Sequence, residues 1–378
     1  GLLAVPYGEH LIGGQMVAHT YTAGPPPDSV IITALGDGQD HGWEGAVEVF
    51  YQGEPLAVSP DGLVPGYRFH PGTLSTGVAD PIQGVDPFLP QGLAYSGTAY
   101  LATKLPQYFA IEDNPQKVIS RIKCMRTMDY DDAGAEVGAS YSTNPARVAA
   151  DRIRRFYSEK YYNNLPLAYS KFRDRVHWPS WGRWKRVNDE LITWNDGQTL
   201  RTIKRFEYHG AFLEDGTLGQ ILDDICGACA AFWQDDGTYI RFVNPIDVGP
   251  VHHFYSSNIV GNTIEGAPRD IRLIPNIMVA NFRNLDSRFL AEASTERRRD
   301  DLVRRIGRVV SSVNLPNMRH SQAQRLMSRR LILEAGPSDS GSPQTINLTG
   351  QPDSLHVLPG DTVTLSDPNQ DADSQPCL

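Results

Sequence analysis

Cys226 and Cys229 stand in the sequence CGAC, the C-x-x-C spacing by which redox enzymes and zinc modules bring two sulfurs to one place. A reactive thiolate wants its first cysteine at a helix N-terminus, where the dipole lowers the thiol pKa. This pair instead falls well inside a helical stripe of Leu218, Leu222, Ile225, Cys229 and Phe232, so redox chemistry is not expected. A structural zinc needs four ligands, and the nearest candidates, His252 and His253, are adjacent and point opposite ways in any strand they occupy. The expectation is two small thiols packing a helix against a sheet, with no metal and no cofactor.

Trp178, Trp181, Trp184 and Trp194 lie among arginines and lysines, four of the six tryptophans of the chain. Aromatics interleaved with basic residues can stack on bases or clamp sugars. The same residue types build cores and subunit contacts, the reading preferred here, with Trp178, Trp181 and Trp184 as interface candidates. The run TERRRDDLVRRIGR adds Arg297, Arg298, Arg299, Arg304, Arg305 and Arg308, broken by Glu296, Asp300 and Asp301. Its mixed signs suit a solvated helix or loop; the sharper alternative is an inward-facing ring on the channel of an oligomer, so these six are interface candidates too.

Asp367, Asn369, Asp371 and Asp373 imitate the start of a calcium loop, but Ala372 replaces the turn glycine and no bidentate Glu follows. They read as a solvated tail. The chain has no H-E-x-x-H, Walker loop or G-x-S-x-G, and Gly36, Gly38 and Gly42 do not have the dinucleotide spacing. No catalytic residue is assigned, and an enzyme is not expected.

Any such groups must be positioned by more than one core: 378 residues at 40% apolar content imply two to four domains. A net charge of -9 argues against a general nucleic-acid binder. Scattered Gly (34) and Pro (27) favour many short strands. Four cysteines cannot make a disulfide framework, which suggests reduced thiols and folding in a cytosol. The opening GLLAVPYGEH is too short and polar for a signal peptide, and no apolar run reaches the roughly 18 residues of a membrane helix.

Residues 46–51 alternate as a strand with Val47, Val49 and Tyr51 on one face; residues 55–90 read as a long excursion. Residues 97–105 and 117–125 are further strands around a turn at Asp113, Asn114 and Pro115. Asn144 and Pro145 open a helix with Ala149, Ile153, Phe156 and Tyr157 inward and Arg147, Asp151, Arg152, Arg154 and Arg155 on a solvated face. Thr217 caps the cysteine-bearing helix, and Asp236 and Gly237 turn the chain into a strand. Residues 275–283 form a strand apolar on both faces, Ser321 caps a helix carrying Ala323, Leu326, Met327 and Leu331, and residues 336–343 are a link. Residues 345–349 make a strand, and a turn at Pro359 and Gly360 leads to another over 362–365.

The order NPARVAADRIRRFY, GTLGQILDDICGACAAFWQDDGTYIRFV, PNIMVANFR, SQAQRLMSRRLIL and VLPGDTVTLSDP, preceded by GLAYSGTAYLATKL, resembles the tail hub proteins of long-tailed bacteriophages over residues 90–366. These include the N-terminal hub portion of lambda-type tail-tip host-specificity proteins. The resemblance implies an α+β, β-rich multi-domain fold: two tube-like β-barrel domains with an intervening α/β domain. On it we expect a β-rich hub domain at 1–143, an α/β domain at 144–250 and a second barrel with one crossing helix at 251–378. It further implies a homotrimer that closes the tail tube and adapts sixfold to threefold symmetry, assembled in the host cytoplasm and located at the virion tail tip. The implied partners are the tail tube or distal tail protein, the tape-measure protein and a central fibre or spike, with no membrane and no sequence-specific nucleic acid. The sequence ends at Leu378 without the long receptor-binding extension, which leaves host recognition to another chain or region. The alternative is a carbohydrate-binding or carbohydrate-cleaving virion protein, motivated by the tryptophans.

Overall fold

The computed structural model describes residues 5–21, 29–37, 41–58, 66–72, 97–105, 118–195, 200–212, 216–244, 250–268, 271–335, 344–354, 357, 363–367 and 372–377. Most of the 55–90 excursion, the 113–115 turn, the 336–343 link, the Pro359–Gly360 turn, Asn369 and Asp371 lie outside them, as does the Trp194 side chain. The fold is mixed α+β and strand-rich. Its chain divides into two compact units, one of Gly1–Asp131, Ala135–Thr143 and Tyr208–Ile221, the other of Asp132–Gly134, Asn144–Glu207 and Leu222–Leu378.

The first unit contains β1 (Val5–Pro6), β2 (Glu9–Ile12), β3 (Gln15–Tyr21), β4 (Ser29–Asp37), β5 (Trp43–Tyr51), β6 (Glu54–Pro55), β7 (Gly66–His70), β8 (Thr98–Leu105), β9 (Val118–Tyr130) and β10 (Glu136–Tyr141). The long β9 buries Val118, Ser120, Ile122 and Cys124 at period two. It pairs antiparallel with β2, β5 and β10. A second sheet runs β3-β4-β8-β7, with Ile31, Leu101 and Leu105 fully buried. Trp43 N donates to Pro71 O at 2.9 Å and Tyr67 N to Ala57 O at 3.0 Å, stitching the two sheets. Val47 is not on the face of Val49 and Tyr51: a β-bulge between Ala46 and Glu48 turns it outward. Among the described residues no sheet closes into a barrel.

Three helices follow: α1 (Pro145–Lys160), α2 (Leu165–Arg175) and α3 (Trp178–Asp189). Asn144 caps α1 by accepting from Ala146 N at 2.9 Å, while its amide donates to Lys185 O at 2.9 Å. The face of α1 expected in solvent is instead buried, because α1 packs on both α2 and α3. Asp151, 1% exposed, accepts from Arg155 at 2.8 Å and Arg154 at 3.4 Å, which lets these charges go inside as pairs. Phe156, assigned inward by periodicity, is exposed.

The remaining elements are β11 (Leu191–Asn195), β12 (Leu200–Lys204), β13 (Ala211–Phe212, paired with β1 in the first unit), α4 (Leu218–Gly227), β14 (Phe232–Asp235), β15 (Ile240–Val243), β16 (His252–Tyr255), β17 (Ile259–Pro268), β18 (Ile277–Asn284), β19 (Leu290–Ala293), β20 (Arg297–Arg298), α5 (Asp300–Ile306), β21 (Val310–Asn314), α6 (His320–Ala335), β22 (Gln344–Gly350), β23 (Val363–Asp367) and β24 (Ala372–Cys377). α4 stops sooner than its stripe suggested. Ala230 takes a left-handed φ of 50° and Phe232 begins β14, half exposed. α6 starts at His320 rather than after a Ser321 cap: the carbonyl of Arg319 accepts from Gln322 and Ala323. Residues 372–377 are not a loose tail, since β24 pairs antiparallel with β23. β23 in turn lies parallel to β16, and β17 pairs with β22.

Candidate interface sheet of the second unit

β18 is the centre of a four-stranded sheet. β21 runs parallel along one side of it, and β20 and β19 run antiparallel along the other. Met278, Ala280 and Phe282 face inward toward α6, which presents Ala323, Leu326 and Met327, all fully buried, and whose first residue His320 lies 6.0 Å from the Phe282 ring. The outward face is different. Val279 is half-buried and Asn281 and Arg283 are exposed, beside Ser312 and Asn314 of β21. The Asn281 amide donates to Ser312 Oγ at 2.9 Å and Asn314 Oδ1 at 3.3 Å, a polar ladder across two strands. A shallow hollow of about 560 Å³ lies over Asn281, Arg283, Ala291 and Asn317.

At the margin, β21 reads VSSVN and pairs only with β18 among the described residues. Leu315 N donates to Asn281 O, and Val309 O accepts from Ile277 N. The backbone groups of odd-numbered residues therefore face β18, and those of Val310, Ser312 and Asn314 face outward. This edge carries no Lys, Pro or bulge, the devices that usually block edge pairing. The opposite edge, β19, exposes Leu290.

The arginine run is distributed around this sheet. Arg297 and Arg298 form β20; Arg297 donates to Gln324, and Arg298 meets Asp300 at 2.8 Å. Arg299 is buried, donating to Ala335 O at 2.7 Å and to Asp301 at 2.9 Å, and it holds the Asp301 carboxyl down at about 2. It is structural rather than an available contact. Arg308 pairs with Glu296 at 2.6 Å. Arg304 and Arg305, in the last turn of α5, are exposed.

Under the sheet, Glu292 is held below the usual carboxylate range by the Ser287 hydroxyl first, then by Asn284 and His320. The Ser287 hydroxyl thus donates its hydrogen bond to a carboxylate. His320 is occupied by Gln324 at 2.6 Å and lies 3.7 Å from Glu292, so the cluster braces β18, β19 and α6 rather than activating a nucleophile.

These two units share their fold with a virion chain. No family model and no curated protein matches the sequence. Seventeen chains of solved structures match. One, from the virion of the native gene transfer agent (GTA) particle, has a TM-score of 0.57 at 17% identity, over 97% of this chain and 79% of that one. The 43 kDa tail protein of prophage MuSo2 from Shewanella oneidensis aligns over 97% and 87% of the two chains, at 10% identity and a TM-score of 0.32. The tail protein from Neisseria meningitidis MC58 aligns over 97% and 89%, again at 10% identity and 0.32. Of these three, the GTA chain is the one similar enough to speak for the fold.

The tryptophan candidates lie elsewhere, inside the second unit. Trp178, Trp181 and Trp184 are 7%, 0% and 1% exposed, too deep to meet a partner or a sugar. Trp178 Nε1 donates to Arg173 O at 2.9 Å and Trp181 Nε1 to Ala146 O at 2.7 Å. The Trp184 indole stacks on Phe242 and lies beside the Cys229 sulfur. Cys226 and Cys229 are also buried, in the last turn of α4 and just beyond it. Burial pushes the Cys226 thiol well up and the Cys229 thiol to about 12, the opposite of a reactive pair. His252 and His253 point to opposite sides of β16, against Asn258 and Thr364. Among the described residues no His, Cys, Asp and Glu cluster could hold a metal.

Sequence reading missed the Asn281 ladder and the uncharged β21 edge. VSSVN does alternate, but five residues beside an arginine run are a weak signal.

Proposed function

We propose that the chain is a structural virion protein, a hub subunit at the tip of a phage-like tail. Three copies close the distal end of the tail tube and adapt its sixfold symmetry to a threefold fibre or spike. The observation that carries this reading is the fold shared along 97% of the chain with a chain of the GTA virion at a TM-score of 0.57. In this reading residues 1–143 and 251–378 supply tube-like barrel domains around an α/β domain at 144–250. Sheets left open in one chain close against neighbouring copies, the β21 edge of one meeting the β19 edge of the next. Such a contact is heterologous and generates a ring. The partners are the tail tube or distal tail protein, the tape-measure protein and the central fibre or spike. Assembly takes place in the host cytoplasm, and the product sits at the virion tail tip.

The test is the solution mass by light scattering at several concentrations, alone and with a tail-tube protein. A trimer is expected. Ser312→Pro, which removes an outward N–H and leaves the β18 ladder intact, should abolish the trimer without unfolding the chain. A persistent monomer under all conditions overturns the reading.

A further inference from the structure

A strand at the end of a sheet offers a row of backbone N–H and C=O groups to any chain that meets it. β16 is such a strand: among the described residues it pairs with β23 alone, in the order β16-β23-β24. Its outward side is nevertheless occupied. The side-chain amide of Asn258 donates to His253 O at 2.8 Å, while its oxygen accepts from Tyr255 N at 2.8 Å. Backbone groups two residues apart point to the same side of a strand, so those of His253 and Tyr255 face away from β23. In a parallel pair, each residue sends its N–H to the carbonyl before the residue it faces and takes the N–H after it. The Asn258 carboxamide, which carries the same donor and acceptor as a peptide group, makes that pair of bonds around Phe254.

We propose that Asn258 is an internal plug of the β16 edge: its amide occupies the place of a further parallel strand and so keeps this edge from pairing with other chains. The plug is held from outside the strand. Asn258 ends the short 3-10 turn Ser256–Asn258 that follows β16, its own carbonyl accepts from Gln351 N at 3.0 Å, and Gln351 Nε2 donates to Ser257 O at 2.8 Å. Phe254, Ile259 and Leu365 form a buried cluster that fixes β16 and the start of β17 to β23. Asn258 itself is 4% exposed, with His252 Nε2 3.3 Å from the same amide nitrogen, so turning the side chain away would cost buried hydrogen bonds. β16 is four residues long, and one amide therefore suffices to take the two outward groups at its centre. Asp at this position would lack the N–H for His253 O, and Ala or Leu would lack both groups. The plug does not depend on the hub reading, since a monomer needs its edge covered as much as a trimer does.

Sedimentation velocity of the full chain, wild type beside Asn258→Ala at equal concentrations, tests this. The variant should form assemblies larger than the wild-type species, their share rising at least about fivefold between about 5 and about 100 µM. Adding Tyr255→Lys, a charge on the same exposed edge, should return the variant toward the wild-type mass. A folded Asn258→Ala chain with the wild-type mass at every concentration overturns the plug, and so does association that Tyr255→Lys leaves unchanged. The reference is the wild-type mass whatever its value, so this failure is distinct from failure to form a trimer. If Asn258→Ala does not fold, amide exchange of the wild type by NMR decides. Corrected for intrinsic rates, the Tyr255 N–H should exchange at least about tenfold more slowly than the His253 N–H on the same side of the strand, and equal rates overturn the plug.

Discussion

Trp184 lies flat on Phe242, ring centroids 4.5 Å apart and planes 16° from parallel, and the stack fastens α3 to β15. Both rings are almost wholly buried. Trp184→Ala should destabilise the chain by about 3–5 kcal/mol in denaturant unfolding, and Trp184→Phe by much less. A loss below about 1 kcal/mol for the alanine variant would mean that the stack is not a core element.

The Asp151 to Arg155 pair makes a second demand. Removing only the carboxylate charge, Asp151→Asn, leaves buried guanidinium groups beside a neutral amide and should cost about 3–5 kcal/mol. The double variant Asp151→Leu with Arg155→Met should recover most of that loss. Equal stability of wild type and Asp151→Asn would show that the arginines are served by other partners.

Buried thiols can be counted by alkylation. At about pH 8, Cys124, Cys226 and Cys229 should react with iodoacetamide at least about a hundredfold more slowly in the folded chain than after unfolding, because burial both raises their pKa and blocks access. Fast labelling of Cys226 in the native chain would contradict its position at the end of α4.

The β14–β15 hairpin carries a pH signature. Asp236 is held at about 2, chiefly by the Tyr239 N–H, then by Arg241 and the Thr238 N–H. Its folded value is depressed, so its contribution is complete above the ordinary 3.8 and disappears as pH falls toward about 2. The gap in Tm between wild type and Asp236→Ala should thus be widest near about pH 7 and close in acid. A gap independent of pH would assign the effect to packing instead of charge.

Much of this architecture was legible where local chemistry decides it. Asn144 with Pro145 announced α1, and the strand read at residues 275–283 announced β18. The same cap logic was available but unread at Asn164 with Pro166 and at His177 with Pro179, whose side chains accept from Leu167 N and Ser180 N to start α2 and α3. What sequence could not supply is tertiary. Burial of Asp151 depends on which helices cover α1, the outward turn of Val47 depends on a bulge against β9, and β24 exists only because β23 offers it an edge. The arginine run is likewise sorted, Arg299 inward and Arg304 outward, by where a short helix happens to begin.

The parallel pairing of β16 with β23 sets a timetable. Its partners are far apart in sequence, His253 meeting Thr364 across 111 residues. During synthesis β16 emerges early and waits, its edge unsatisfied, until the ribosome has delivered residues 363–367. Everything from β17 to β22 has by then had time to collapse around β18 and α6. Docking of β23 on β16, followed by β24 on β23, is therefore a late event in maturation, and a stalled or clipped nascent chain would be left with a sticky, half-built sheet.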